Sequence, residues 1–403
     1  MKYTPDEVLQ FVEEDDVKFI RLAFCDVAGV QKNISILPGE LSRAFERGIP
    51  FDGSALPGFG DEAYSDLLLH PDPDTLMILP WRPEHGKVVR MFSRISLSDG
   101  RDFPGDTRSL LQRAVKAGEE LGRSFYFGAE QEFYLFNLDG NGQPTREPYD
   151  YAGYMDIAPD DRGENIRREI CLTLEQMGMT PESSYHKEGP GQNEIDFRYS
   201  DPLTAADNAM TFRTVVKTVA RRNGLAADFS PKPLAGQPGS GFHINMSVRS
   251  ENSGDDLCHM IAGILDKIPE MTAFLNPAES SYSRFGSFKA PRYISWSSEN
   301  RSQLVRIPSG SGQYRRAELR SPDPAANPYL AFALMIYAGL YGIRERLDLP
   351  MVADLNLYKA PPEVLARYAQ LPGTLQEARR LAAGSAFIRE HVPECILESF
   401  CGQ

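Results

Sequence analysis

The alternation of apolar and polar residues in the segment 128–136, Gly-Ala-Glu-Gln-Glu-Phe-Tyr-Leu-Phe, predicts a buried strand that carries two carboxylates. Successive side chains of a strand point to opposite faces, so Glu130 and Glu132 share one face, about 7 Å apart along the strand. Their aromatic neighbours are typical of a buried sheet. Two like charges in such a place need a cation, and we expect the rest of the chain to supply its other ligands.

Three later segments repeat this pattern, with polar residues at i and i+2 and apolar residues between them. They carry Glu194 and Asp196 in 193–199, His243 and Asn245 in 241–247, and Glu318 and Arg320 in 316–320. Any one of them is explained as well by an amphipathic strand with one solvent-facing side. Carboxylates and an imidazole on several neighbouring strands, however, predict an oxygen-rich site for Mg²⁺ or Mn²⁺, and the arginines indicate that anionic oxygens bind beside the metal.

The remaining pattern predicts a small α+β unit followed by a larger domain. The small unit has a helix from about residue 5, a hairpin of strands 17–25 and 30–36, a short helix, and strands at 75–81 and 87–97. A segment rich in Gly, Pro and Asp, 98–106, marks the boundary. Long helices alternate with the polar-faced strands and are predicted at about 107–121, 161–177, 203–223, 254–275 and 327–346.

Composition and charge narrow the class of function. A chain of 403 residues with 41% hydrophobic content buries a large core and is expected to form two domains. Its net charge of -13, with no basic patch, argues against nucleic acid or an anionic membrane as the main partner and favours small molecules. The five cysteines contain no C-x-x-C pair, so we expect reduced, structural thiols.

Two stretches bear on localisation. The first 20 residues are acidic and contain no apolar targeting segment. The longest apolar stretch, 329–343, is shorter than the ~20 residues that span a bilayer, and it is interpreted as a buried helix. We therefore expect a cytoplasmic protein.

Two glycine-rich loops add candidate chemistry. The loop 51–59 contains Asp52, which is explained most simply as a turn residue that accepts hydrogen bonds from backbone N–H groups. The segment 236–241 leads into the strand of His243 and could bring backbone N–H groups up to an anion. Neither loop is a specific signal by itself.

Taken together and in this order, the motifs resemble the glutamine synthetase family, and its bacterial type I enzymes most closely. The matching segments span nearly the whole chain: 51–54, 128–133, 191–194, 231–233, 239–243, 300–302, 305–308 and 315–324. The resemblance implies an α+β fold, with a β-grasp domain over residues 1–104 and a catalytic domain over residues 105–403, whose curved antiparallel sheet is flanked by helices. It also implies a ring of subunits in which each active site lies between two neighbours.

The resemblance further implies a glutamate–ammonia ligase. ATP would phosphorylate the γ-carboxylate of L-glutamate, and ammonia would then displace the phosphate to give L-glutamine. The family uses ATP and two divalent cations. By motif, Glu130, His243 and Glu318 would bind the cation beside the transferred phosphoryl group, and Glu132 and Glu194 would bind the cation that positions glutamate.

The remaining site residues are implied by the same motifs. Arg301, Arg306 and Arg316 would cover phosphate oxygens, Arg284 and Arg320 would hold the substrate carboxylate, Gly239 would contact the amino acid, and Ser247 would contact ATP. Asp52, reaching in from the adjacent subunit, would take a proton from ammonium, a task that requires an ionised carboxylate.

Four positions depart from the family pattern. Lys187 stands where the family has a metal-binding Glu, and because a protonated Lys cannot bind a metal, we expect the site of Glu132 and Glu194 to be weakened. Lys289 stands where a Glu of the family closes over ammonium. The other two departures are Asn245, for a histidine on the nucleotide side, and Pro238, for an asparagine near the amino group of glutamate.

These departures leave three hypotheses open. The first is a working glutamine synthetase, because the phosphate-side arginines, five metal-type ligands and Asp52 are all present. The second is a related ligase that uses another amine, because two lysines near the ammonium pocket repel NH₄⁺. The third is a nucleotide- or amino-acid-binding ring with little catalysis. Glu188 could replace the metal-binding carboxylate that is absent at Lys187 only if its loop shifted by one residue.

Two further expectations concern assembly and regulation. The family usually continues beyond the segment 387–391 with a helical tail that clasps a second ring, whereas here residues 392–403 remain. We therefore expect a hexameric ring that is stable alone and a dodecamer that is weak at most. Tyr358 lies in a segment that resembles a loop adenylylated in some type I enzymes, but Lys359 replaces an acidic neighbour, so we expect an ordinary surface tyrosine without adenylylation.

Overall fold

The alternating pattern at the start of the chain forms a mixed sheet in the computed structural model. The structure describes residues 3–61, 63, 65–82, 85–250, 256–308 and 315–402. The chain divides into two units, the first made of Met1–Leu110, Gln176–Gly178 and Val392–Gln403, and the second of Leu111–Glu175 and Met179–His391.

The first unit is built on six strands: β1 (Val17–Cys25), β2 (Gln31–Ile36), β3 (Ile49–Asp52), β4 (Asp66–Pro71), β5 (Met77–Ile78) and β6 (Lys87–Leu97). Their order is β2-β1-β6-β4-β3, and β5 pairs with β6. The central pair, β1 and β6, is parallel, while the other pairs are antiparallel. Helices α1 (Pro5–Glu14) and α2 (Leu41–Arg47) complete the pattern, and a capping box of Thr4 and Glu7 begins α1.

The predicted hairpin and the strand at 87–97 are confirmed, but the strand predicted at 75–81 is shorter than expected. Pro73–Thr75 forms a 3₁₀ turn, and only Met77–Ile78 is extended. The reason is local: the Asp72 side chain accepts a hydrogen bond from the backbone N–H of Asp74, which favours a turn at this place. The strands β3 and β4 were not predicted.

The second unit is built on a nine-stranded sheet. Its strands are β7 (Arg123–Leu138), β8 (Pro144–Pro148), β9 (Pro181–His186), β10 (Gln192–Phe197), β11 (Leu225–Asp228), β12 (Phe242–Ser250), β13 (Trp296–Ser297), β14 (Val305–Arg306) and β15 (Ala317–Leu319). The order is β13-β14-β15-β12-β7-β10-β9, with β8 and β11 also paired to β7. Apart from the parallel pair β13 and β14, these strands are antiparallel.

The helices along the rest of the chain confirm the five long helices of the sequence pattern to within about three residues. They are α3 (Thr107–Glu119), α4 (Glu164–Gln176), α5 (Pro202–Arg222), α6 (Asp256–Leu275), α7 (Glu279–Tyr282), α8 (Pro328–Glu345), α9 (Pro362–Leu365), α10 (Leu375–Gly384), α11 (Ala386–His391) and α12 (Glu394–Cys401). No helix in the described part of the chain is long and apolar enough to cross a membrane. The apolar stretch 329–343 lies within α8, which is buried along most of its length as predicted.

The two faces of β7 have different partners. Phe127 stacks on Phe332 of α8 with ring centroids 4.5 Å apart, and the Gln131 side chain donates a hydrogen bond to the Ala209 carbonyl of α5 at 3.1 Å. These odd-numbered residues face the helices. Alternation along the strand therefore turns Glu130 and Glu132 to the opposite face, where both line a cavity.

Two glycines allow α6 and α8 to approach closely. A Cβ atom added at Gly263 would lie 2.2 Å from the carbonyl oxygen of Ala338, and one added at Gly342 would lie 2.1 Å from the carbonyl oxygen of His259. Backbone atoms cannot move aside as a flexible side chain can. The crossing therefore tolerates no side chain at either glycine.

We expect Gly263→Ala to lower the free energy of unfolding by about 1–3 kcal/mol, because the added methyl group forces these two helices apart. Gly384→Ala is the matched control, since no atom lies within 4 Å of a Cβ at that exposed helical position. It should leave stability unchanged or raise it by about 0.4–1 kcal/mol. Urea denaturation measures both, and equal effects of the two substitutions would contradict the close crossing.

Candidate active site

The register of the second sheet brings the predicted polar residues together around one cavity of about 490 Å³. His243 lies opposite Glu130, Glu194 opposite Glu132, and Asn245 opposite Glu318. Of the residues expected at the site, the cavity is lined by Glu130, Glu132, Glu194, Gly239, His243, Arg284, Arg301, Arg306, Arg316, Glu318 and Arg320. Asp52 lies in the first unit, and Ser247 lines a second cavity.

The first group of metal-type ligands surrounds His243. Its Nδ1 atom lies 3.5 Å from Glu130 Oε2 and 3.8 Å from Glu318 Oε1. Glu130, Glu194 and His243 each offer an atom within 4.8 Å of the others. The Glu130 and Glu318 carboxylates and the His243 imidazole nitrogen make a donor set that suits Mg²⁺ or Mn²⁺. The residues of this group therefore fit a divalent cation.

Gly241 leaves room for this imidazole. A Cβ atom added at Gly241 would lie 2.6 Å from His243 Nε2. Any other residue at this position would force the imidazole to move. This is the physical reason for a glycine two residues before the histidine.

Arginines surround the outer side of the same group. Arg306 donates to Glu318 Oε2 at 2.7 Å, and Arg320 donates to Glu318 Oε1. Burial by itself would raise the pKa of Glu318, but the two guanidinium groups and the His243 imidazole lower it to about 2. Glu318 is therefore an anion across the physiological range, as a metal ligand must be.

Asn245 links this group to a further arginine. Its amide donates to Glu130 Oε1 at 2.6 Å and accepts from Arg316 Nε at 3.1 Å. Arg301 lines the same cavity and is exposed. The cavity thus combines a metal-type carboxylate group with several guanidinium groups, which together suit a phosphate.

The second group consists of Glu132 and Glu194, and Lys187 lies between them. The Lys187 ammonium is 2.9 Å from Glu132 Oε1 and 3.0 Å from Glu194 Oε2. Burial by itself would raise the pKa of Glu132, but the Lys187 charge holds it well below its usual range. Both carboxylates are ion-paired to a cation of the chain itself. Because the ammonium lies between these two carboxylates, they do not fit a second metal ion.

The partners of the two carboxylates include residues that the sequence did not indicate. The Tyr185 hydroxyl donates to Glu194 Oε1, and the Gln192 amide donates to Glu132 Oε2 at 3.3 Å. The backbone N–H of Gly241 also donates to Glu132 Oε2, at 2.6 Å. Tyr185 precedes Lys187 by two residues, the same i and i+2 spacing as in the other strands, and this spacing could have identified it.

The loop that carries Lys187 is fixed by buried hydrogen bonds. His186 is fully buried, with Nε2 2.8 Å from Asp150 Oδ1 and Nδ1 2.7 Å from the Lys187 carbonyl oxygen. The Lys187 N–H donates to the Gln192 carbonyl at 2.8 Å, and Asp150 also accepts from the Gly191 N–H at 3.1 Å. The backbone at Lys187 is therefore held from both sides.

Asp150, Asp161 and His186 form another group of metal-type side chains, separate from the two groups in the cavity. The sequence did not indicate this group. Asp161 is paired with the buried guanidinium of Arg167, which also donates to Asn193 at 2.6 Å. Asp150 is used by His186. The ligand atoms of this group thus already have partners in the protein, and the group supports the Lys187 loop.

We expect His186→Gln to destabilise the protein by about 1–3 kcal/mol, and by more at pH 6 than at pH 9. Burial by itself would lower the pKa of His186, but the hydrogen bonds to Asp150 and to the Lys187 carbonyl raise it. Because the pKa of His186 is higher in the folded state, its protonation stabilises the protein below about pH 6.5, the pKa of a histidine in an unfolded chain. This contribution is lost as the pH rises through the folded-state pKa.

His391 provides the control for this pH dependence. It stacks on Tyr337 with ring centroids 4.1 Å apart, and burial lowers its pKa. A pKa lowered on folding costs stability at acidic pH, so the cost of His391→Gln should be smaller at pH 6 than at pH 9. Urea denaturation of both variants at the two pH values measures this, and parallel trends would contradict the assignment.

Arg284, expected to hold the substrate carboxylate, is held by the wall of the cavity. Its guanidinium donates to the Ser321 carbonyl at 3.0 Å and lies 3.5 Å from Asp323 Oδ2. Gly239 is next to it, because a Cβ atom there would lie 2.6 Å from Arg284 Cγ. The Gly239 carbonyl accepts from the Gln192 amide at 3.1 Å.

Lys289 lies at the rim of the cavity and is paired with Glu188. Its ammonium is also 5.3 Å from the centre of the Tyr154 ring. Phe288 and Lys289 both have left-handed backbone conformations, with φ of 47° and 63°. Glu188 is thus engaged by a second lysine, and it does not replace the carboxylate that is absent at Lys187.

Asp52 ends strand β3 and is exposed. Its Oδ1 atom accepts hydrogen bonds from the Ser54 backbone N–H at 2.9 Å and from the Ser54 hydroxyl at 2.7 Å. These donors lower the pKa of Asp52. The carboxylate is therefore ionised at neutral pH.

Two expectations concern residues outside this group. Ser247 lines a cavity of about 180 Å³ whose wall includes Tyr126 and Tyr199, packed edge to face at 6.2 Å. Tyr358, expected to be a surface side chain, is half-buried, and its hydroxyl oxygen is buried. Burial raises the pKa of Tyr358 to about 12. The absence of adenylylation stays a prediction, and a buried hydroxyl is consistent with it.

Comparison with known proteins shows similarity along nearly the whole chain. Residues 16–98 match the family model "Glutamine synthetase, beta-Grasp domain", and residues 104–403 match "Glutamine synthetase, catalytic domain". A glutamine synthetase of Methanosarcina mazei is 44% identical over 98% of this chain and 92% of its own length. One from Staphylococcus aureus is 42% identical over 99% of this chain and 93% of its own length.

Solved structures agree with this match. A structure described as a GmaS/ADP complex superposes with a TM-score of 0.89 at 28% sequence identity, covering 98% of this chain and 94% of its own. Apo GmaS superposes with a TM-score of 0.87, also at 28% identity. The expected β-grasp domain and catalytic domain are confirmed. On these two family models and the near full-length relatives, the chain belongs to the glutamine synthetase family.

Proposed function

We propose that this protein is a glutamine synthetase, an ATP-dependent ligase that joins ammonia to the γ-carboxylate of L-glutamate. The observation that carries the proposal is one cavity in which the group of Glu130, His243 and Glu318 lies beside Arg306, Arg316 and Arg320. The curated relatives named glutamine synthetase support it.

The reaction that we propose has two steps. The γ-carboxylate of glutamate attacks the terminal phosphorus of ATP and expels ADP, which gives γ-glutamyl phosphate. Ammonia then attacks the acyl carbon and expels phosphate, which gives glutamine, and the nitrogen loses its extra proton. The first step moves a phosphoryl group from one oxygen to another, and the second places negative charge on the leaving phosphate, so catalysis depends mostly on positioning and charge neutralisation.

The residues divide between these tasks. A divalent cation held by Glu130, His243 and Glu318 would neutralise charge on the phosphate oxygens. Arg301 and Arg316 would cover the same oxygens, with Arg306 beside them. Arg306 also holds the Glu318 carboxylate in position at 2.7 Å. This arrangement provides fixed positive charge at the place where the phosphoryl group moves.

The substrates would be held on either side of this centre. Arg284, Arg320 and the backbone of Gly239 would contact glutamate, and Ser247 would contact ATP in the cavity lined by Tyr126 and Tyr199. Asp52 of a neighbouring subunit would accept the proton from ammonium. We therefore also propose a homo-oligomeric ring, with residues 1–104 and 105–403 as the two domains of each subunit.

A second candidate is a ligase that uses an amine other than ammonia. Lys187 and Lys289 both line the cavity, where they add positive charge beside an ammonium-binding position. Both lysines, however, are ion-paired with carboxylates, which reduces their repulsion of a cationic amine.

An assay of ADP formation distinguishes these candidates. Purified protein with ATP, Mg²⁺ or Mn²⁺ and glutamate should form ADP when ammonium is added, and mass spectrometry should identify glutamine. A panel of methylamine, ethanolamine and a diamine tests the second candidate. A higher kcat/KM with any of these amines than with ammonium would overturn the first proposal. If neither ammonium nor any of these amines supports ADP formation, both proposals are overturned.

A further inference from the structure

Glu132 and Glu194 are a like-charged pair placed directly opposite each other. They are register partners on the adjacent antiparallel strands β7 and β10. Both are almost completely buried, with exposed fractions of 6% and 1%. Opposed like charges destabilise a sheet, and buried ones do so strongly. A cation between the two carboxylates relieves this repulsion.

The protein supplies this cation from its own chain. The Lys187 ammonium lies 2.9 Å and 3.0 Å from the two carboxylates, which are charge-assisted hydrogen-bond distances. Its backbone is fixed by the Gln192 carbonyl and by His186. An ammonium at this position neutralises one of the two charges and occupies the space between the carboxylates.

We propose that the Lys187 ammonium takes the place of a second divalent cation, so that each chain binds one divalent ion and positions glutamate with a lysine. This inference rests on the proposed function, because it concerns the substrate of that site. It goes beyond the expectation of a weakened second metal site, because it assigns the positioning of glutamate to Lys187.

The hydrogen-bonding capacity of lysine supports this assignment. An ammonium has three N–H donors. Among the described residues, Glu132 and Glu194 accept from two of them, which leaves one donor for a substrate oxygen. Lys187 also lines the cavity beside Gly239 and Arg320. The γ-carboxylate of glutamate is an acceptor of the right charge for this donor.

Manganese titration of metal-free protein tests the proposal without any turnover. Free Mn²⁺ is followed by electron paramagnetic resonance, so the count is independent of catalysis. The wild-type chain should bind one Mn²⁺. Lys187→Glu, which supplies a third carboxylate, should bind two, and Lys187→Met should bind a second ion more weakly. Lys187→Arg, which keeps the charge, should bind one.

Lys289→Met is the matched control, because it removes the other lysine of the cavity, which pairs with Glu188 instead. This variant should still bind one Mn²⁺ ion per chain. Two equally tight ions in the wild-type chain, or a count of one in Lys187→Glu, would overturn the proposal. If Lys187→Met fails to fold by circular dichroism, the Glu and Arg variants still decide.

A kinetic readout tests the positioning task. The KM for glutamate should rise about tenfold in Lys187→Met, because a charge-assisted hydrogen bond is lost, and Lys187→Arg should recover part of it. The KM for ATP should change little. Equal increases in both KM values would overturn the positioning role. A chain that binds one Mn²⁺ but makes no glutamine would contradict the proposed function while leaving the metal count intact.

Discussion

Replacing His243 with glutamine should lower kcat by about 10²–10⁴-fold and weaken Mn²⁺ binding in parallel, because the proposed cation site then loses its imidazole ligand. The His243 Nδ1 atom is the point at which Glu130 and Glu318 converge, at 3.5 Å and 3.8 Å. Glu318 stays in place in the variant, since Arg306 and Arg320 hold it. The loss of kcat and Mn²⁺ affinity therefore measures the missing imidazole ligand and not a collapse of the site.

His259→Gln is the control for this substitution. His259 is half-buried on α6, and its Nδ1 lies 2.7 Å from the Leu347 carbonyl oxygen, so it does not line the cavity. Its kcat and Mn²⁺ affinity should stay close to those of the wild-type chain. Steady-state kinetics at several Mn²⁺ concentrations measure both variants. An unchanged Mn²⁺ affinity in His243→Gln would rule out the imidazole as a ligand.

Replacing Asp52 with asparagine should lower kcat with ammonium by about 10²–10⁴-fold, because an amide cannot accept the proton of the attacking nitrogen. The carboxylate is exposed and is kept ionised by two hydrogen bonds from Ser54. Asparagine has nearly the same shape and keeps one oxygen for these donors. The defect should therefore lie in the chemical step and not in the fold.

Hydroxylamine separates this role from a structural one. It is uncharged at neutral pH, so it attacks without first losing a proton, and Asp52→Asn should retain most of its activity with it. Asp66→Asn is the control, because Asp66 is exposed and is the register partner of Asp52 on β4. It should behave as the wild-type chain with both nucleophiles. Equal losses with ammonium and hydroxylamine in Asp52→Asn would contradict proton transfer.

The sequence predicted the polar strands well because a strand has a strict period of two. Glu130 and Glu132 had to share a face, and the register then brought His243 opposite Glu130 and Glu194 opposite Glu132. The five long helices were likewise predicted from their period, and the structure shows that Asp201 and Asn327 cap two of them. The period of each strand and helix is determined within one segment, whereas the register between strands is not.

Contacts between distant segments could not be predicted in the same way. The sequence indicated that Lys187 would weaken a metal site, but its position between two carboxylates depends on the loop after β9 and on the buried hydrogen bond from His186 to Asp150. The pairing of Lys289 with Glu188 joins segments 101 residues apart. The turn at Pro73–Thr75 was missed because a single side-chain hydrogen bond outweighs the apolar pattern there.

A cation attached to the backbone has a consequence for how the enzyme would respond to metal supply. Lys187 is held within 3.0 Å of its two carboxylates by its own chain, so its local concentration is constant. A dissolved ion must instead be drawn from the surroundings each time it leaves. With one exchangeable ion per chain, activity would rise with the first power of the free metal concentration, and not with its square. Such an enzyme keeps more of its activity when divalent metals are scarce.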